Sequence, residues 1–155
     1  IYAHKRVLNE LKKRFYYIFD ENYTYPGSPK VIGNVISSNF NINDKKIIPI
    51  NAFHKDLQVY GYRFENFAYL TDVKTIEKKE IKKLDDLDIL VINALRIEEH
   101  YSHFNLDQAL EFIKVIKPKK AYLTHISHML GFHDEVQKIL PKNVFLAYDG
   151  LEITI

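Results

Sequence analysis

The sequence predicts an α/β layered fold, because strand-like and helix-like segments alternate through its second half. The apolar run DILVINAL at 88–95 predicts a buried strand, and residues 105–116 place their apolar side chains on one face of a helix. A shorter strand at 121–124 and a helix at 135–140 repeat this order, and a proline follows each of the two helices. This alternation is typical of strands joined by helical crossovers.

The first half has a different pattern. Residues 3–19 show helical spacing of apolar side chains, and the segment 22–29 is expected to break that helix. Turns are expected near 41–45 and at 65–66, so the strands between them predict an antiparallel or mixed meander. The predicted strands are 31–36, 47–53, 57–64 and 67–70.

Three further local signals complete the fold prediction. The lysine-rich segment 74–84 predicts a short helix, and Asn105 with Gln108 has the spacing of a capping box. The dipeptide Asp149-Gly150 lies between apolar runs and predicts a type I′ hairpin over 144–155. No repeat or linker is visible, so we expect a single domain over residues 1–155.

The amino-acid composition limits the kinds of binding site and partner that this chain can have. At 155 residues, 46% hydrophobic and 27% charged, the chain can bury a core, and a net charge of +2 implies no general attraction to nucleic acid or membranes. Cysteine is absent, which excludes disulfides and thiolate ligands, so a metal would need histidines and carboxylates; zinc, manganese and iron all remain open. No run of about 18 apolar residues and no signal peptide is visible, so we expect a cytoplasmic protein without a membrane partner.

Several predicted strands end near a residue that could bind a metal or move a proton. These residues are His54, Asp72 and His125, and His103 follows the strand at 88–95. Strand ends on one edge of a sheet lie close together, so the four side chains could converge on one cleft. A single strand-end histidine is more often a surface or hydrogen-bonded residue, and Asp72 could cap the next helix, so spacing alone leaves a metal site open.

Other chemistries have weaker support. The sequence contains no G-x-S-x-G, P-loop or G-x-G-x-x-G motif, and with 5 glycines a phosphate-binding loop is not expected. The 11 tyrosines and 10 phenylalanines lack an adjoining basic stripe, so we interpret them as packing residues and expect no nucleic-acid partner.

Three segments resemble one known family. The stretches YRFENFAYLTD, ALRIEEHYSHFNLDQAL and AYLTHISHMLGFHDEVQKILPKNVFLAYDGLEI resemble the metallo-β-lactamase superfamily. The resemblance covers about 1–155 and is strongest to the phosphodiesterase branch typified by phosphoribosyl 1,2-cyclic phosphodiesterase and related to ribonuclease Z. It implies an αββα sandwich of two similar halves with metals at one edge, of which this chain would hold mostly the C-terminal half.

The resemblance also implies roles for individual residues. His54 matches a ligand of the first metal, Asp72 the carboxylate that bridges two metals, and His125 the last ligand of the second metal. His103 matches the histidine proposed to protonate the leaving group, and Asp149 is expected to be a turn residue. The implied cofactors are two divalent ions, zinc or manganese, and the implied reaction is hydrolysis of a small cyclic phosphate or nucleotide diester by a metal-bound hydroxide. A homodimer is left open.

One departure from the family concerns its opening metal motif. H-x-H-x-D-H is absent from this sequence, and we expect Ile1 to follow the place where the motif belongs. The resemblance therefore implies that this chain alone lacks about half of the metal ligands, and we expect it to bind metal weakly and to be inactive. The alternatives are a ribonuclease Z-like or other ester hydrolase, and a non-catalytic binding protein that has lost its metals.

Overall fold

A computed structural model describes residues 1–23 and 25–155; Thr24, inside the predicted break at 22–29, lies outside the described residues. The chain divides into two compact units, 1–40 and 41–155. We describe each unit by itself, and the single domain over 1–155 stays a prediction.

The described residues of the first unit form two helices where one was predicted. Helix α1 spans Lys5–Arg14 and helix α2 spans Tyr16–Phe19, and between them Phe15 has the non-helical angles φ −125° and ψ 43°. Helix α1 begins at residue 5 because the His4 ring nitrogen Nδ1 accepts the Arg6 N–H at 3.1 Å. The residues before it form a short strand, β1 (Tyr2–Ala3), parallel to β2 (Asn34–Val35), so the predictions for 3–19 and 31–36 were too long.

The second unit is built on a mixed sheet, in which the strands predicted as a meander are antiparallel. Its order is β10-β9-β8-β6-β5-β4-β3, and β7 pairs with β4. Strands β4, β5 and β6 are antiparallel neighbours, whereas β6, β8, β9 and β10 run parallel. The strands are β3 (Phe40–Ile42), β4 (Lys45–His54), β5 (Leu57–Phe64), β6 (Phe67–Leu70), β7 (Thr75–Ile76), β8 (Ile89–Asn93), β9 (Lys120–Thr124) and β10 (Val144–Leu146).

Three helices belong to this unit: α3 (Lys78–Ile81), α4 (Leu106–Ile116) and α5 (His133–Ile139), with single 3-10 turns at Lys82–Leu84 and His128–Leu130. The capping box is confirmed, since the Asn105 side chain accepts the Gln108 N–H at 3.0 Å and the Gln108 side chain accepts the Asn105 N–H at 3.3 Å. Among the helices of the described residues, none has both the length and the apolarity needed to cross a bilayer.

Two local predictions in this unit were wrong. The predicted helix at 74–84 begins later, because Thr75–Ile76 instead add a strand to the edge of β4. The predicted C-terminal hairpin does not form: β10 pairs in parallel with β9, and residues 147–155, all described, contain no strand. Helix α5 lies between β9 and β10 in the chain, and a strand, helix, strand order produces parallel neighbours. A turn does exist at 149–150, with φ +88° at Gly150.

The core of this unit lies on one face of the sheet, against the helices. Gly61 on β5 faces Ile50 on β4, and a Cβ atom at residue 61 would overlap the side chain of Leu70. A glycine is therefore required where β6 places a leucine over β5. The largest apolar side chains with no or almost no exposure are Ile50, Leu70, Val73, Leu84, Leu90, Ile92, Leu123 and Val144.

A buried carboxylate supports the outer edge of β4. Glu80 is 4% exposed, and its Oε2 atom accepts the Asn51 N–H at 2.7 Å and the Lys83 ammonium at 2.7 Å. Lys83 also donates to the carbonyl of Pro49 at 2.9 Å. Burial alone would raise the pKa of Glu80, but these donors outweigh it and hold the pKa below its usual value.

Replacing Glu80 by glutamine tests this support. Because the folded-state pKa is lowered, the ionised carboxylate stabilises the fold above the unfolded pKa of about 4.3, and this contribution is lost as the pH falls through the lower folded value. We expect Glu80→Gln to lower the free energy of unfolding by about 2 kcal/mol at pH 7, and less as the pH approaches 3. Urea unfolding across this pH range measures the difference.

The matched control is Glu111→Gln, which removes the acidic partner of an exposed ion pair with Lys114. We expect this control to change stability by less than about 0.5 kcal/mol at any pH. Equal losses for the two variants would contradict the account of Glu80.

Candidate metal centre

The structure brings all four predicted site residues together at one edge of the sheet. His54 is the last residue of β4, Asp72 follows the end of β6, and His125 directly follows β9. His103 lies in the loop between β8 and α4. The parallel strands β6, β8 and β9 end at the same edge, which explains how residues far apart in the chain meet there.

Asp72 is the centre of the cluster. Its Oδ1 atom lies 3.1 Å from Nε2 of His103 and 3.3 Å from Nε2 of His125. The His103 ring stacks on the His125 ring with centroids 4.7 Å apart, and it meets the His54 ring edge-on at 4.5 Å. One carboxylate oxygen is thus shared by two imidazoles, and a third imidazole touches one of them.

Three of these side chains are spaced as a metal site requires. His54, Asp72 and His103 each offer one ligand atom, and these atoms lie within 4.8 Å of one another. The family resemblance implied His54, Asp72 and His125 as ligands and His103 as a proton donor. The ligand and donor roles of His103 and His125 stay predictions.

Two of the four residues have strained backbone. Asp72 has φ +57° and His125 has φ +56°, both in the left-handed region that non-glycine residues seldom adopt. Such a conformation costs on the order of 1 kcal/mol per residue. The Oδ1 atom of Asp72 and the Nε2 atom of His125 lie 3.3 Å apart, and backbone strain of this kind is often found at functional sites.

Sequence reasoning missed two neighbours of His103. Nδ1 of His100 lies 3.2 Å from Nδ1 of His103, and Oγ of Ser102 lies 3.0 Å from the same His103 atom. Ser102 is 1% exposed, and its Oγ is also 3.2 Å from His100. The sequence assigned His100 no role beyond solvent exposure; the short spacing in HYSH was the signal that could have indicated this contact.

Burial and neighbouring groups favour the neutral form of two of these imidazoles, His103 and His100. Burial lowers the pKa of His103, and the neighbouring His125 and His54 lower it further, against the opposing effect of Asp72. Burial also lowers the pKa of His100, with Arg96, His54 and Lys74 acting in the same direction. A neutral imidazole is the form that binds a metal ion, so these pKa directions suit a ligand set.

Three other polar residues, which follow His125 in the chain, serve local structure. Ser127 donates from Oγ to the Leu95 carbonyl at 2.8 Å, which fixes the turn after His125. Asp149 lies in a turn, as predicted, and lines a cleft of about 410 Å³ that His125 and Tyr148 also line. His133 contacts the carboxylate of Asp134 at 3.3 Å.

The donor set fits the divalent ions that the sequence predicts. It consists of imidazole nitrogens and one carboxylate, which are ligands for zinc, manganese and iron. The orientation of the His103 ring is supported by a further hydrogen bond, between Ser102 Oγ and its Nδ1 atom at 3.0 Å. The residues present therefore could hold a divalent ion at this edge.

Comparison with known proteins agrees with this geometry. The family model of the beta-lactamase superfamily domain matches residues 1–126. An octanoyltransferase of Porphyromonas gingivalis (strain ATCC BAA-308 / W83) is 36% identical over 158 residues, which is 100% of this chain and 32% of that protein.

Two solved structures extend the comparison. A diphosphatase from the PhnP family is 34% identical with a TM-score of 0.89, covering 99% of this chain and 57% of that one. The short form of human tRNase Z is 18% identical with a TM-score of 0.70, covering 100% of this chain and 66% of that one. The chain thus spans about a third of the octanoyltransferase and little more than half of the diphosphatase.

The family match extends over most of the chain and includes all four clustered residues. His125 lies near the end of the match. The α/β class predicted from the alternation of strands and helices is confirmed, and so is the resemblance drawn from the three sequence segments. The chain belongs to the beta-lactamase superfamily and has the metallo-β-lactamase fold.

Proposed function

We propose that this chain is part of a metal-dependent phosphodiesterase that hydrolyses a small cyclic phosphate or nucleotide diester. The observation that carries the proposal is the Asp72 carboxylate, whose Oδ1 atom lies within 3.3 Å of the Nε2 atoms of both His103 and His125. A carboxylate within reach of imidazole nitrogens from two strand ends is a ligand that two divalent ions could share.

The proposed cofactors are two zinc or manganese ions. When bound, such ions activate water and neutralise charge on phosphoryl oxygens. We propose that His54, Asp72 and His125 hold them, with Asp72 shared between the two. The side chain of Asp72 is 45% exposed and that of His125 is 39% exposed, so both can be reached from solvent.

We propose that His103 gives a proton to the departing oxygen. Its side chain is only 10% exposed, and its Nε2 atom lies 3.1 Å from Oδ1 of Asp72, the carboxylate that we propose the ions share. General-acid work needs the protonated ring, whereas burial favours the neutral one. A bound phosphodiester anion next to the ring would favour its charged form.

The diphosphatase from the PhnP family supports a phosphorus ester as substrate, since it is 34% identical over almost the whole chain. The name octanoyltransferase describes a protein of which this chain matches 32%, so it assigns no activity to the matched part. Because H-x-H-x-D-H is absent here, we propose that the 155-residue chain alone binds metal weakly and is inactive.

A substrate panel tests the function on the complete gene product. We expect zinc or manganese, added after chelation, to restore hydrolysis of bis(4-nitrophenyl) phosphate and of a cyclic nucleotide, but not of a carboxylic ester. Hydrolysis of the carboxylic ester alone would favour a different ester hydrolase. No hydrolysis of any ester by the metal-loaded protein would favour a non-catalytic binding protein.

A ribonuclease Z-like activity is the second candidate, and the fold similarity to tRNase Z is the observation that favours it. The near balance of 22 basic and 20 acidic residues does not supply a basic surface for RNA. Cleavage of a precursor tRNA in the same panel would decide for it. A homodimer, the cytoplasmic location and the absence of a membrane partner stay predictions.

A further inference from the structure

Asn93 is a polar residue with no exposed surface at the carboxyl end of β8. Its side chain makes two hydrogen bonds to one residue: Oδ1 accepts the Val73 N–H at 2.8 Å, and Nδ2 donates to the Val73 carbonyl at 3.1 Å. A buried amide is tolerated only when it is paired, and here both of its ends are paired. The side chain therefore acts as a backbone partner for a residue 20 positions earlier.

The contact between Asn93 and the Val73 backbone bears on the candidate site because Val73 directly follows Asp72. The backbone of Asp72 is in the left-handed region, and the peptide bond to Val73 constrains where this backbone lies. The Val73 carbonyl also accepts the Phe104 N–H at 2.9 Å, and Phe104 directly follows His103. Asn93 and the His103 loop thus meet on one carbonyl group next to Asp72.

The next two residues, Ala94 and Leu95, make backbone hydrogen bonds to the residues that adjoin His125 and His103. The Ala94 N–H donates to the Thr124 carbonyl at 3.0 Å, just before His125, and the Leu95 N–H donates to the Phe104 carbonyl at 3.0 Å. Any amino acid except proline could make these bonds. Asn93 differs because its contribution depends on the side chain.

We propose that Asn93 is a positioning residue that sets the Asp72 carboxylate against His103 and thereby raises the affinity of the site for divalent ions. The role in ion binding rests on the proposed function, whereas the role in orienting Asp72 and His103 does not. A leucine at residue 93 would fill a similar volume, but it would leave the buried Val73 N–H without its partner.

The test compares two variants of the complete gene product. Asn93→Leu removes both hydrogen bonds, and Asn93→Asp keeps an acceptor for the Val73 N–H while losing the amide donor. Zinc affinity is measured by competition with a chelator. We expect Asn93→Leu to lower the affinity by about 10–100-fold and Asn93→Asp to fall between this variant and the unaltered protein.

The control is Leu90→Ala, which changes a fully buried residue of the same strand whose apolar side chain makes no hydrogen bond to Val73. It should destabilise the fold to a similar or greater extent and leave zinc affinity unchanged. If Asn93→Leu does not fold, the zinc affinities of Asn93→Asp and Leu90→Ala are compared instead, and this comparison tests the proposal. Unchanged affinity in the Asn93 variants, or an equal loss in Leu90→Ala, would overturn the proposal.

A second readout needs no metal. In ion-free protein with ¹⁵N-labelled histidine, the Nε2 signal of His103 reports its hydrogen bond to Asp72. We expect Asn93→Leu to shift this signal and Leu90→Ala to leave it in place. An unshifted signal would overturn the positioning role, whereas zinc that fails to bind the unaltered protein while the signal shifts would refute only the proposed function.

Discussion

Replacing Asp72 by asparagine in the complete gene product is expected to abolish tight binding of both ions and, with it, hydrolysis of phosphodiesters. Asparagine has the same shape and tolerates φ +57°, so the fold should persist, but a neutral amide cannot serve as a bridging anion. We expect the loss of ion affinity to exceed the roughly 10–100-fold that removal of an outer hydrogen-bond partner costs. Chelator competition and elemental analysis measure it.

His125→Ala provides the comparison within the site, because it is expected to remove one ion and most activity while the other ion remains. Asp149→Asn is the matched control: this aspartate lines the cleft that His125 also lines, but it lies in a turn. Asp149→Asn should retain both ions. Retention of both ions by Asp72→Asn would refute the bridging role.

Replacing His103 by glutamine is expected to leave the ion content intact and to slow turnover by about 10²–10⁴-fold for substrates with poor leaving groups. A leaving group that is stable as the phenolate needs no proton from the enzyme. The loss of turnover should therefore become smaller as the phenol of the leaving group becomes more acidic. The measurement is kcat for a series of aryl phosphodiesters. His128→Gln, an exposed histidine in the turn after His125, is the control and should behave as the unaltered protein.

The alternative role for His103 gives a different result. His103 lies with His54 and Asp72 in the group of ligand atoms, and its pKa is lowered toward the metal-binding neutral form. A ligand role would make His103→Gln lose an ion, with equal loss of activity for good and poor leaving groups. That outcome would move His103 from proton donor to metal ligand.

Much of the sheet could be predicted from local pattern. Strands β5 and β6 have the predicted bounds, because alternating apolar residues flank a turn in which Glu65 adopts φ +50°. Helix α4 starts at its predicted cap for a local reason as well. Local chemistry was sufficient wherever the neighbours of a segment are also its neighbours in sequence.

The errors occurred where the structure of a segment depends on pairing with a strand that is distant in sequence. The segment 74–84 has helical composition, but its first residues add to the edge of β4, a strand far away in sequence. At the C-terminus, the turn signal of Asp149-Gly150 is real, but β10 finds its hydrogen-bonding partner in β9 instead of in the following residues. Tertiary pairing overrode local propensity in both cases.

The residues of the candidate site could likewise be predicted only in part. His54, Asp72, His103 and His125 could be found because polar residues at strand ends of an α/β sheet collect at one edge. Ser102 and Asn93 could not be assigned, because their importance lies in which atoms they reach. Asn93 left one trace, a polar residue inside the apolar run DILVINAL. Such a residue needs a partner, and the sequence does not say which one.

Metal content per chain, measured by elemental mass spectrometry, tests the central claim most directly. The measurement is made on the complete gene product and on the 155-residue chain, purified side by side and reconstituted with zinc and manganese. The account predicts about two ions in the complete gene product and fewer in the 155-residue chain. A complete gene product that binds no ion under these conditions would contradict it.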